Sequence, residues 1–144
     1  YRHTHTFNAT PEAVWDLLVN PAKVKAYMFG CDIETTWEVG TPLIWKMADA
    51  EGTVMVAVKG DILVFEEGRQ LSYTLFPPAM PIQDIPENYI QAHFTVEAAG
   101  DQTHLHVVQD HFDGVEQGQK RFDETVAGWP MIYPMMEKAL TATS

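Results

Sequence analysis

The sequence predicts an α+β fold, a curved antiparallel sheet of about seven strands wrapped round one long C-terminal α-helix, with two short helices after strand 1. Three observations carry this. Apolar residues between Gln117 and Ser144 recur at helical spacing, and those between Ile33 and Phe112 alternate with a period of two. Two proline-led helix starts stand before that alternating stretch.

In chain order, residues 2–8 read Arg-His-Thr-His-Thr-Phe-Asn, a composition suited to a short strand. Thr10-Pro11-Glu12-Ala13 supplies an N-cap followed by proline at the first helical position, and Val14, Trp15, Leu17 and Leu18 give that helix an apolar face. The helix stops before Asn20-Pro21, where Pro21 opens a second short helix carrying Val24, Tyr27 and Met28. The alternating rows follow: Leu43, Trp45 and Met47; Val54, Val56, Val58, Gly60, Ile62 and Val64; Leu71, Tyr73 and Leu75; Ala92, Phe94 and Val96; Leu105, Val107, Gln109 and His111. Ala50-Glu51-Gly52, Glu67-Gly68 and Ala99-Gly100-Asp101 are turn signals between neighbouring rows, as a meander of hairpins requires. Phe76 to Glu87 carries Pro77, Pro78, Pro81 and Pro86, which excludes a strand and predicts a longer loop.

In the last helix Phe122, Val126, Trp129, Tyr133, Met136 and Leu140 form the apolar stripe, widened by Ile132, Met135 and Ala139. Lys120, Arg121, Asp123, Glu124, Glu137 and Lys138 fall on the remaining surface. Gly128-Trp129-Pro130 and Pro134 interrupt the pattern. Each interior proline removes a hydrogen bond and costs about 3 kcal/mol, so a bend or a break is expected near Gly128.

Composition narrows the function classes. A chain of 144 residues suits one domain, spanning 1–144, with a core large enough to need neither disulfide nor metal. Cys31 is the single cysteine and cannot form an internal bridge, so the expected setting is cytoplasmic and the expected role a small core thiol. There is no 18-residue apolar run and no signal-peptide pattern, so no membrane partner is expected. Nine basic residues against twenty acidic ones leave a net charge of −11, which repels phosphate backbones and argues against nucleic acid. The same charge could steer a basic partner protein. The sequence does not choose between a monomer and a homodimer.

A twisted sheet curling round a helix leaves a concave apolar space, and such spaces bind ligands. The alternation places Trp45, Met47, Tyr73, Phe94, Gln109 and His111 on the concave face, with Trp129, Tyr133 and Met136 opposite them on the helix. These nine are the candidate pocket residues. Gln109, His111 and Tyr73 are the informative ones, because a polar group pointing inward needs a partner. His111 could act as an acid or base with Tyr73 as a polarising donor. Asp110 and His111 are neighbours in a strand, which sends their side chains to opposite faces and forbids a direct dyad. His3 with His5, and His104 with His106, each share a strand face, but no Cys or carboxylate joins them at ligand spacing and no metal is expected. No nucleophile motif, phosphate loop or dinucleotide motif appears, so neither catalytic residues nor a cofactor are assigned.

The chain also resembles the START-like, or helix-grip, superfamily, and within it the activators of the ATPase of the 90-kDa heat-shock protein. The resemblance rests on Ala9-Thr10-Pro11-Glu12-Ala13-Val14-Trp15, on Gly40 with Leu43, Trp45 and Met47, and on Gly60 in a long strand. Leu71-Ser72-Tyr73-Thr74, Thr103 with Leu105 and Val107, and Gly128-Trp129-Pro130 complete it. It covers nearly the whole chain. It implies a long C-terminal helix gripped by the sheet, and a tunnel for a small apolar or aromatic molecule. It also implies two alternatives: a stress-response protein acting on a heat-shock chaperone, and a polyketide cyclase or dehydratase with His111 and Gln109 beside the pocket.

Overall fold

The computed structural model describes residues 1–28, 30–48, 51–78, 82–112, 115 and 117–141. β1 (Arg2–Phe7) leads into α1 (Pro11–Val19) and α2 (Pro21–Tyr27), and six strands follow: β2 (Asp32–Glu34), β3 (Pro42–Ala48), β4 (Val54–Glu66), β5 (Gln70–Leu75), β6 (Ile90–Ala99) and β7 (Gln102–Asp110). The long helix α3 (Gly118–Thr141) closes the order. Both short helices start where the capping chemistry requires. Ala13 N donates to Thr10 Oγ1 at 3.2 Å and Ala22 N to Asn20 Oδ1 at 3.1 Å, each cap followed by proline.

The strands form one seven-stranded antiparallel sheet in the order β1-β7-β6-β5-β4-β3-β2. The chain's first strand therefore returns to pair with its last, with His5 opposite Leu105. The helices pack on the sheet and on one another. Phe7, Leu43, Ile62, Leu105 and Val107 from the sheet, Val14, Leu17 and Val24 from the short helices, and Ile132, Tyr133 and Met136 from α3 make a common buried core. Cys31 is buried in the same core, and its thiol is held above its ordinary range by burial first and by the charge of Asp32 second. That is an inert thiol.

Four expectations change. First, of the bend or break expected near Gly128, the break does not occur: α3 runs 24 residues as one helix with Pro130 and Pro134 inside it. Both prolines are exposed, so the carbonyls of Val126 and Pro130 that lose their amide partners stand on the hydrated face. Secondly, the expected stripe is buried at Trp129, Ile132, Tyr133, Met136 and Ala139 but differs over the first turns of the helix. Val126 is 43% exposed, while Arg121, placed on the polar surface from sequence, is 5% exposed.

Thirdly, the β4 row does not keep one parity. Trp45 pairs with Val58 but Lys46 with Val56, and Ile62 pairs with Tyr73 but Val64 with Ser72, so Ala57 and Leu63 are extra residues at two irregularities. Each slip reverses which side chains face inward, bringing Met55 level with Met47 and Phe65 level with Leu71. Fourthly, β7 ends at Asp110 and His111 takes a φ of 69°, so the alternation does not reach His111. The loop after Phe76 contains a 3-10 turn at Pro86–Asn88, and the expected loop position of Pro81 lies outside the described residues, as do Ala50 of the β3–β4 turn and residues 142–144 of the expected helix.

Gly60 sits between the two irregularities. A Cβ at this position would lie 1.7 Å from the Thr74 carbonyl oxygen and 2.5 Å from its carbon, so β4 and β5 approach too closely for any side chain. Gly60→Ala should therefore lower stability by about 1–3 kcal/mol or more through forced backbone displacement. A denaturant melt checks it, and an unchanged midpoint would show that the two strands do not meet so closely.

Candidate functional site

Between the inner face of the sheet and the first half of α3 lies a cavity of about 320 Å³. The sheet supplies Trp45, Val58, Tyr73, Leu75, Ile90 and Gln109, the end of α2 supplies Met28, and α3 supplies Arg121, Glu124, Thr125 and Trp129. Of the nine residues selected from sequence, Trp45, Tyr73, Gln109 and Trp129 line this cavity. Phe94, Tyr133 and Met136 are in the solid core beside it. Phe94 meets the Tyr73 ring edge-on at 5.7 Å and the Trp129 ring at 5.8 Å, so it buttresses two wall residues without being wall itself. Met47 is partly buried against the core at the far end of β3 and does not reach the cavity.

His111 does not face the cavity. Its side chain is 56% exposed, and it stands on a separate concavity of about 430 Å³ with Tyr1, Asp110 and Phe112. The left-handed backbone at His111 also overturns the argument against contact with its neighbour, because Nδ1 lies 2.6 Å from Asp110 Oδ1. Asp110 in turn is 3.4 Å from His93 Nε2, and His93 Nδ1 is 2.8 Å from Ser72 Oγ. Burial works to raise the Asp110 pKa, but the hydrogen bond from His111 and the charges of His93 and His111 bring it below the ordinary carboxylate value. This Ser-His-Asp row crosses β5, β6 and β7 on the outer face. Ser72 is 1% exposed, so no substrate reaches its hydroxyl, and the row serves as cross-strand pairing.

The other histidines are also accounted for. His104 and His106 lie on the outer face, bonded to Thr6 and Thr4 at 2.8 Å, and His106 also reaches Glu97 at 3.2 Å. His3 and His5 turn inward onto α3: the His5 ring stacks on Tyr133 at 4.7 Å and its Nε2 meets Glu137 at 2.9 Å. No cluster of metal-ligating residues occurs among the described residues.

The polar groups around the cavity carry its chemistry. Trp45 Nε1 is buried without a hydrogen-bond partner, a costly state for an N–H donor. Burial pushes the Tyr73 phenol well above its ordinary pKa, and Tyr27 nearby is raised by burial first and by Tyr73 second, so both are neutral donors at any physiological pH. Tyr27 donates to Leu17 O at 2.7 Å. Arg121 Nη1 donates to Asn88 O at 2.5 Å and Nη2 to Leu75 O at 3.2 Å, tying the start of α3 to the 3-10 turn and to the end of β5. Sequence reading placed Arg121 on the polar surface because of its charge and left Thr125 unassigned. The available signal was their spacing, since both share the helical face of Trp129 at intervals of four residues.

With this geometry in place, comparison with known proteins decides the family. The family described as Activator of Hsp90 ATPase homolog 1-like protein matches residues 8–141. The chain belongs to that family. Its helix-grip fold is shared by a solved protein of Cytophaga hutchinsonii, 29% identical over 98% of this chain and 95% of that one, with a TM-score of 0.74. A Mesorhizobium loti protein, 21% identical, matches 100% of this chain and 99% of its own at a TM-score of 0.73. An HSP90 activator from Plasmodium falciparum, 9% identical, shares the fold at 0.65 over 90% of this chain and 89% of that one. Among curated proteins, none matches the sequence.

Trp129 is 4% exposed, stacked near Tyr133 at 5.4 Å and edge-on to Phe94, while one side of it forms cavity wall. Trp129→Ala should destabilise the fold by about 3–5 kcal/mol. Thermal or denaturant melts measure this, and a variant as stable as the parent would mean that the indole is not packed as described.

Proposed function

We propose that this protein binds a small apolar or aromatic molecule in the cavity between the sheet and α3. The observation that carries the reading is the cavity itself. Its volume of about 320 Å³ falls within the range of small-molecule sites, and its wall is mainly aromatic and aliphatic with a few polar groups. The unpartnered Trp45 N–H adds to it, because an acceptor on a bound molecule would relieve the cost of burying that donor. Reaction chemistry has less support, because the histidine offered as its acid or base stands outside the cavity.

A second reading is action on a heat-shock ATPase. The family description favours it, and a net charge of −11 would suit a basic docking partner. ATP turnover by the host's chaperone with and without this protein separates the two, and a stimulated rate would favour the interaction role.

The ligand reading is tested with Nile red, an uncharged apolar dye whose emission rises on leaving water. The parent protein should take it up, and Leu75→Trp, which fills the cavity from β5, should weaken uptake by about tenfold or more. Native mass spectrometry of the protein purified from its own host should show a bound small molecule. No dye uptake by the folded parent would refute the reading.

A further inference from the structure

We infer that the bound molecule is an apolar monocarboxylic acid, its hydrocarbon body against Trp45, Tyr73 and Trp129 and its carboxylate on the guanidinium of Arg121. This rests on the ligand-binding reading above and names the ligand class for the same cavity. Arg121 is 5% exposed and belongs to the cavity wall. A guanidinium removed from water is costly unless its charge is matched as well as its hydrogen bonds. Its two partners in the protein are the main-chain carbonyls of Asn88 and Leu75, which accept hydrogen bonds but carry no charge. Among the described residues no carboxylate is within ion-pair distance of it.

The nearest acidic influence is Glu124, which also borders the cavity. Its side chain is exposed and hydrated, so it offsets the buried cation at a distance only. Burial accordingly lowers the Arg121 pKa despite the opposing pull of Glu124. A guanidinium has five N–H donors, and the two carbonyl contacts leave others for a bidentate carboxylate.

Two neutral groups complete a polar end to the cavity. Trp45 Nε1 lacks a partner, and the side-chain amide of Gln109, a residue 8% exposed, borders the same cavity. Both can hydrogen-bond without adding charge. One buried cation in a chain of net charge −11 suits a monoanion, since a phosphate dianion would exceed the local charge and face the remaining acidity. The rest of the wall is aromatic and aliphatic, which fixes the other end of the ligand as hydrocarbon.

The test compares 1-naphthylacetate with 1-naphthylacetamide, nearly equal in shape and different in charge, by displacement of Nile red from the unmodified protein. The acid should bind about tenfold or more tightly than the amide at low salt, the size of one charge-assisted hydrogen-bond pair. In Arg121→Met the acid-to-amide ratio should fall to about one. An amide that binds as tightly as the acid to the unmodified protein, with Nile red bound, overturns the inference while leaving the apolar cavity standing. A preserved ratio in Arg121→Met overturns it equally. Failure of all three compounds, Nile red included, overturns the ligand-binding reading and this inference with it. Because the first comparison uses the unmodified chain, loss of folding in the variant does not protect the inference.

Discussion

The structure depends on how β4 bends. A strand of thirteen residues in a sheet that wraps a helix cannot stay regular along its length, and here the bend is concentrated at Ala57, at Gly60 and at Leu63. Gly60 lets β5 pass close, and the extra residue on each side of it resets which side chains face the helix. Beyond Gly60 the strands resume contact, with Lys59 and Phe76 exchanging hydrogen bonds of 2.9 and 2.7 Å. The curl leaves the first half of α3 standing off the sheet, and the second half, with Ile132, Tyr133 and Met136, packs solidly. One helix thus serves as core at one end and as cavity wall at the other, and Trp129 is the residue at the change.

What holds the stand-off region is polar. The guanidinium of Arg121 fastens the first turns of α3 to the carbonyls of Asn88 and Leu75, across the gap that the curled sheet leaves. Along the opposite edge, β1 brings His3 and His5 against Tyr133, and Tyr1 Oη lies 3.0 Å from Tyr133 Oη. The Tyr133 phenol is held well above its ordinary pKa by burial first and by its contact with Tyr1 second, so its hydroxyl stays protonated within this aromatic stack.

The fold was legible from the sequence wherever one local rule governed. Thr10-Pro11 and Asn20-Pro21 announce their helices by capping chemistry, and Glu67-Gly68 and Ala99-Gly100-Asp101 announce their hairpins. The site was legible in part. Strict alternation finds Trp45, Tyr73 and Gln109, which lie on regular stretches, and fails for His111, where the strand ends one residue earlier and the backbone turns left-handed. Bulges have no composition signal in β4, whose valines suit either face. Arg121 was assigned to the surface because a charge usually lies there, and its hydrogen-bond acceptors are carbonyls of distant segments that no local pattern announces. The interior prolines do not break the helix, since their cost depends on whether the freed carbonyls meet water, and on α3 that row of residues is exposed.

The central claim is that an apolar molecule enters the cavity between the sheet and α3, and the chain's four tryptophans provide a direct test. Trp45 and Trp129 line the cavity, whereas Trp15 and Trp37 pack on Phe65 at 5.6 and 5.9 Å, away from it. In a proton–nitrogen spectrum each indole N–H gives its own resonance. Titration with Nile red should move the Trp45 and Trp129 signals together and leave those of Trp15 and Trp37 in place. Four stationary signals, or movement of the Trp15 and Trp37 pair alone, would contradict the account.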